Sequence, residues 1–341
     1  MARAQTVFSE LYVGKAIGAI QDIKNIENVD ENNKIIYEVE LEKRKKSTKN
    51  NLNSLEKSGL LIREYLLKNG VIPQKVVWTG AENVGAMVAV AKDLEVSNFR
   101  ISVKENADVF INGSPITIFE DIPCGIFGQR RKGDDWYILT AKSELNEYYK
   151  VCKNLIDNKL PVSIEDYYES NRDRKEFSKE VAKLHKNKTI IVLSTYKKMC
   201  QKVRENSAEI FNQNIKNYQK KNKSKNALSA AFHYFFKVNG VKYILAGTEK
   251  NKAFAVILKS SSEWLKEYEL LSILATPNDA GQPEVNLNCK FKNKITKEEY
   301  CFVLRIEIRW SHGKFCGNPE AKVYKTWSYT ELPWIENLNL F

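Results

Sequence analysis

Phe99-Arg-Ile-Ser-Val-Lys-Glu-Asn-Ala-Asp-Val-Phe110 alternates apolar and polar side chains through its first half, the two-residue period of a strand. Phe99, Ile101 and Val103 share one face, while Arg100, Ser102 and Lys104 share the other. Upstream, Met87, Val88 and Val90 form a short apolar run ending at Lys92-Asp93, so a strand there would deliver Asp93 near the start of the next one. Lys75-Val-Val-Trp78 is a further strand candidate, because Pro73 blocks helix before it. Downstream, Val109-Phe-Ile111 and residues 116–119 read as extended segments flanking a Gly113-Ser-Pro115 turn.

Helical spacing surrounds this strand-rich centre. Residues 8–26 carry Leu11, Ile17 and Ile20 partly in phase, and residues 55–69 place Leu55, Leu61, Ile62, Tyr65 and Leu66 on one stripe. Ser54 precedes that second segment and Gly70 closes it, a start and a stop of the expected kind. Residues 35–41 are too short to assign, and 42–53 read as charged surface. Further helices are predicted over 136–155, 173–185, 206–218, 227–236 and 262–274, with a hairpin at 242–246 and 253–258 and strands at 300–310 and 321–326. The pattern predicts an α+β or mixed α/β fold in which helices flank a central mixed sheet. The basic break at 220–226 is the expected boundary between a helical region with the sheet core (1–220) and a strand-rich region (227–341), if the two are not one continuous domain.

The 341 residues carry a formal net charge of +12, which points to an anionic partner, nucleic acid foremost. The six cysteines show no ligand spacing and there are three histidines, so a structural zinc site is not expected. No apolar run approaches the roughly 18 residues needed to cross a bilayer, and the first residues lack the apolar core of a secretory signal. A cytoplasmic protein with no membrane partner is expected. The absence of G-x-x-x-x-G-K-[ST], and of G-x-G-x-x-G after a strand, disfavours a nucleotide cofactor.

Cleaving a phosphodiester with a divalent metal needs carboxylates to hold the ion and a lysine to assist the attacking water and offset charge. Asp93, Ser102 and Lys104 are spaced for that task, with Glu82, Glu105 and Asp108 as further carboxylates. The arrangement resembles the PD-(D/E)xK nuclease motif, in which an aspartate on one strand precedes an acid-x-lysine triplet on the next. Here Ser102-Val103-Lys104 has serine where the acid is usual, and Ala86 stands at a second place such folds use for the aspartate. The resemblance implies a restriction-endonuclease-like core, Mg²⁺ held by Asp93 with Glu82 or Glu105, and Lys104 beside the scissile phosphate.

A second segment, Ile306-Glu-Ile-Arg-Trp-Ser-His-Gly-Lys-Phe-Cys-Gly-Asn-Pro-Glu-Ala-Lys322, is similar to C-terminal stretches of some type II restriction endonucleases. Arg305, Glu307 and Arg309 project from one face of its strand, and His312, Lys314, Asn318 and Lys322 follow. Arginine and asparagine read purines bidentately and glutamate accepts from cytosine, so base recognition is expected here. Arg130, Arg131 and Lys132 form a basic loop suited to phosphates. These readings predict a site-specific, Mg²⁺-dependent endonuclease acting on double-stranded DNA as a homodimer. Two other readings fit the same charge: a DNA-binding protein without catalysis, or an RNA-cleaving or RNA-modifying enzyme that stacks bases on exposed Tyr148, Tyr149 or Tyr167.

Overall fold

The computed structural model describes residues 2–47, 51–80, 93–106, 108–127, 135–157, 159–170, 174–222, 227–238 and 241–338. In chain order the elements are α1 (Ala2–Gly18), α2 (Glu31–Lys45), α3 (Leu52–Lys68), β1 (Val77–Trp78), β2 (Leu94–Val96), β3 (Phe99–Glu105) and β4 (Val109–Gly113). Then come α4 (Trp136–Ile156), α5 (Ile164–Ser170), α6 (Lys175–Lys186), α7 (Ile190–Lys221), α8 (Ala227–Phe235), β5 (Tyr243–Glu249) and β6 (Lys252–Leu258). The remainder is α9 (Ser261–Glu267), β7 (Tyr268–Asp279), β8 (Pro283–Asn293), β9 (Glu299–Trp310), β10 (Pro319–Lys325) and β11 (Ile335–Asn337). The fold is mixed α+β, as the alternation of periods predicts.

Two compact units are built from interleaved segments. The first gathers Met1–Asp108, His233–Tyr268 and Trp327–Phe341; the second gathers Val109–Phe232 and Glu269–Thr326. The chain thus returns to the first unit a few residues after the basic 220–226 stretch.

The first unit holds a six-stranded sheet in the order β1-β2-β3-β5-β6-β11. Strands β3 and β5 run parallel, and every other neighbouring pair in it is antiparallel. One face carries Leu94, Val96, Ile101, Val103, Ile244, Ala246, Ala255 and Ile257. They pack with Phe8, Leu11 and Ile17 of α1, Tyr37 of α2 and Leu55, Ile62 and Leu66 of α3 to form the main core. Gly59 lets α3 approach α1, because a Cβ there would press on the Val13 carbonyl oxygen. The second unit holds a five-stranded sheet, β4-β10-β9-β8-β7, whose inner face includes Val285, Leu287, Leu304, Ile306 and Ile308, all fully buried.

Three expectations are corrected. Residues 31–45 form one helix, so 35–41 is part of a longer element and 42–45 is its last turn rather than only charged surface. Its inward face mixes Tyr37, Ile36 and Leu41 with the buried polar Asn33 and Glu40, so its apolar signal is weak. Residues 116–119, expected to be extended, enter helical turns that span 117–124. Residues 262–274 split between α9 and β7, because Leu270, Leu271, Ile273 and Leu274 fit either period and pairing beside β8 decides.

Candidate active site

Asp93 sits immediately before β2 and is fixed by both neighbouring strands. Its backbone N–H donates to the Ile101 carbonyl (2.9 Å), and its carbonyl accepts from the Thr79 N–H (2.9 Å). The β2–β3 ladder runs from Val96↔Phe99 to Leu94↔Ile101. Just past it, the Asp93 carboxylate takes the next donors: Oδ2 accepts from the Val103 N–H (2.7 Å) and from the Ser102 hydroxyl (2.9 Å). Ser102 is fully buried, so it orients Asp93 from the position where an acid would be usual. Oδ1 has no hydrogen bond among the described residues.

Lys104 follows on the same face as Ser102. Opposite it in the parallel register stands Gly247, with φ of +138°. A Cβ on Gly247 would fall on the Lys104 carbonyl oxygen, so only glycine lets β5 pass this close.

The sequence reading did not include Glu10. It lies on α1 with only 4% exposure, and its Oε2 accepts from the Trp78 indole N–H (2.7 Å). Burial, and then the charge of Asp93, push its carboxyl up to about 8, while the Trp78 hydrogen bond and Lys104 pull the other way. Glu10 thus feels the charges of both Asp93 and Lys104. Its signal was an acidic residue inside the apolar run of Val7, Phe8 and Leu11.

Glu105 belongs elsewhere. It points to the α1 side of β3, where Arg44 binds it with two hydrogen bonds (2.5 and 2.9 Å), Asn51 donates a third (2.8 Å) and Ser9 a fourth. Burial alone would raise its carboxyl, but these donors hold it below the usual range. Arg44 also lies over the Phe8 ring at 4.4 Å. This network fastens α1, α2 and β3 together, and it leaves Glu105 committed to Arg44. Asp108 is exposed before β4. Glu82 and Ala86 lie outside the described residues, as do Arg130, Arg131 and Lys132.

Among the described residues Asp93 Oδ1 and Glu10 Oε1 accept no hydrogen bond, and one or two such carboxylates besides water and substrate phosphate would suit a Mg²⁺ ion. No cluster of three or more His, Cys, Asp or Glu residues suited to a metal occurs among the described residues.

In the second unit the residues expected to read bases are largely engaged with one another. Arg305 binds Glu284 (2.5 Å) and covers the Tyr324 ring (4.2 Å), and Arg309 binds Glu320 (2.7 Å). Glu307 accepts from the Tyr324 hydroxyl (2.6 Å), and Lys322 lies 3.5 Å from Glu320. Lys314 folds over the Tyr196 ring at 4.8 Å, and burial lowers its pKa. His312 and Asn318 are exposed in the β9–β10 turn, where the Asn318 carbonyl accepts from the Ser311 N–H. Tyr148, Tyr149 and Tyr167 are buried, so they offer no stacking platform.

Comparison with protein-family models, with curated proteins and with solved structures finds no match for this chain. No helix among the described residues is long and apolar enough to cross a membrane.

Proposed function

We propose that this protein is a Mg²⁺-dependent endonuclease that cleaves double-stranded DNA at specific sites, in the manner of type II restriction enzymes. The observation that carries the reading is the Asp93 carboxylate held by Ser102 and the Val103 N–H, with Lys104 two residues on from Ser102 on the same strand face. Asp93 and Glu10 would hold the ion through the oxygens not already engaged. When bound, Mg²⁺ polarises the scissile phosphate and lowers the pKa of an attacking water. Lys104 offsets the charge that develops on the phosphate and helps orient the water. Ser102 and the Val103 N–H keep the Asp93 carboxylate in its rotamer. The net charge of +12 favours a polyanionic substrate, and cutting both strands of a symmetric site calls for a homodimer. The buried state of Tyr148, Tyr149 and Tyr167 weighs against the RNA reading.

Incubating the protein with plasmid DNA, with and without Mg²⁺, tests the proposal. Discrete fragments that need Mg²⁺ are expected. Lys104→Ala and Asp93→Asn should each slow cleavage by about 10²-fold or more while changing DNA affinity less than about threefold, because both act on the reacting centre. Binding without cleavage by the unaltered protein would favour the non-catalytic reading, and equal loss of binding in both variants would remove these residues from catalysis.

A further inference from the structure

The turn between β9 and β10, residues 311–318, is held in a costly conformation by its own packing. Gly313 takes φ of +101° and Gly317 φ of +78°, and between them Phe315 takes φ of +62°, where a Cβ is strained. A Cβ on Gly313 would also press on the Ser178 hydroxyl of α6. Phe315 keeps its place because its ring is fully buried. It meets Tyr148 at 4.8 Å, Trp310 at 5.4 Å, Phe177 at 5.5 Å and Tyr149 at 5.8 Å. Strain over-determined by packing in this way is characteristic of ligand clamps. The residue it positions is Lys314.

The Lys314 side chain runs back over the Tyr196 ring, with its ammonium 4.8 Å from the centroid. It is half-buried and makes no ion pair among the described residues. The cations of the neighbouring strands differ: Arg305 is spent on Glu284, and Arg309 and Lys322 on Glu320. No counter-charge comes from the rings and thiols nearby either. His185 meets Tyr196 edge-on at 4.9 Å and shares a hydrogen bond with the Tyr148 hydroxyl (2.8 Å). Burial, and then Lys314, lower it to about 4, so it is neutral at pH 7. Cys152 and Cys200 stand one helical turn beyond Tyr148 and Tyr196, and burial pushes both thiols up to about 12. A half-buried cation with no counter-charge gains from a bound anion.

The pose of the side chain selects the anion. Base edges lie at the floor of a groove about 8.5 Å deep, and only a projecting side chain reaches them. Lys314 is folded back on Tyr196 and does not project. Phosphates line the outside of a duplex, and a compact ammonium with three donors suits one phosphate oxygen.

We propose that Lys314 is a phosphate anchor of the second unit: its ammonium, seated on the Tyr196 ring, grips a backbone phosphate of double-stranded DNA and reads no base. This replaces the base recognition expected for Lys314 from the sequence, and it rests on the nuclease reading above for the identity of the polyanion.

The test uses the full chain with homopolymer dA·dT and dG·dC duplexes, in Ca²⁺ to suppress turnover. Acylation of lysines is read by mass spectrometry, and affinity is titrated at two salt concentrations. Either duplex should slow acylation of Lys314 by about fivefold or more, as expected for an ammonium engaged by phosphate. Lys314→Gln should weaken binding to both duplexes by the same factor, about threefold to tenfold at low salt. It should also flatten the log K versus log salt slope by about 0.9, the effect of one lost phosphate contact. Lys314→Arg should bind both duplexes within about threefold of the unaltered protein, because the charge is kept. A loss confined to one duplex would make Lys314 a base reader, and normal binding by Lys314→Gln would make it a surface lysine. Either result overturns the anchor and leaves the nuclease reading intact. Equal protection of Lys314 by inorganic phosphate at the same phosphate concentration would overturn the backbone assignment. If Lys314→Gln does not fold, acylation of the unaltered protein decides alone: bound duplex with Lys314 still fully reactive overturns the anchor. If the unaltered protein binds neither duplex, the nuclease reading fails and the anchor with it.

Discussion

At the scale of single residues, the protonation of Glu10 is a measurable quantity. Its folded pKa, about 8, stands above the ordinary glutamate value of 4.5, so the folded chain binds more protons than the unfolded one between those two pH values. Stability from this group is therefore fully present below about pH 4.5 and is lost as pH rises through 8. In chelator, Glu10→Gln should remove that slope and raise stability at pH 8 by on the order of 1–3 kcal/mol, measured by urea unfolding at pH 5 and pH 8. An unchanged pH dependence would mean that Glu10 does not sit in the buried setting that raises its pKa. Asp93, Ser102 and Lys104 were legible in the sequence because strand alternation alone puts the last two on one face. Glu10 was not, since only the packing of α1 on the sheet brings it to them. Glu105 misled for a related reason: its neighbour in sequence is Lys104, but period two sends it to Arg44.

At the scale of elements, the parallel β3–β5 pair decides whether Lys104 is held in place. Gly247→Ala must push β5 away from the Lys104 carbonyl or twist it out of register. The expected cost is about 3 kcal/mol or more, seen as a lower urea midpoint, with cleavage falling further than the loss of folded protein explains. A stable Gly247→Ala protein would show that the strands can part without harm. Strands with strict alternation, such as β9, and helices with apolar stripes, such as α3, were readable. Helix α2 was hidden by the buried Asn33 and Glu40 mixed into its inner face, and β7 by leucines that satisfy both periods; in each case tertiary packing chose.

At the scale of the whole molecule, a charge of +12 predicts a steep dependence of DNA affinity on salt. Alanine at Arg130 or Arg131 should weaken binding to any duplex and flatten the log K versus log salt slope by about 0.9 per lost phosphate contact. Alanine at the exposed Asn318 should instead cost about 1–3 kcal/mol on cognate duplex and little on random duplex. Titrations of both duplexes at two salt concentrations separate the outcomes; equal losses at Asn318 would place recognition elsewhere. The mixed fold class was legible from the alternation of periods. The interleaving of the two units was not, because no composition break marks Asp108, Phe232, Tyr268 or Thr326.

That interleaving has a consequence for how the protein comes into being on the ribosome. Leu338 is buried in the same core as Phe8, and β11 is the sheet's closing strand. Gly247, which stands opposite Lys104 in the sheet, is synthesised more than a hundred residues after it. A partly made chain can present Asp93 and Lys104 but cannot yet assemble the scaffold that holds them. On the nuclease reading, a chain truncated before β11 should therefore fail to cleave DNA.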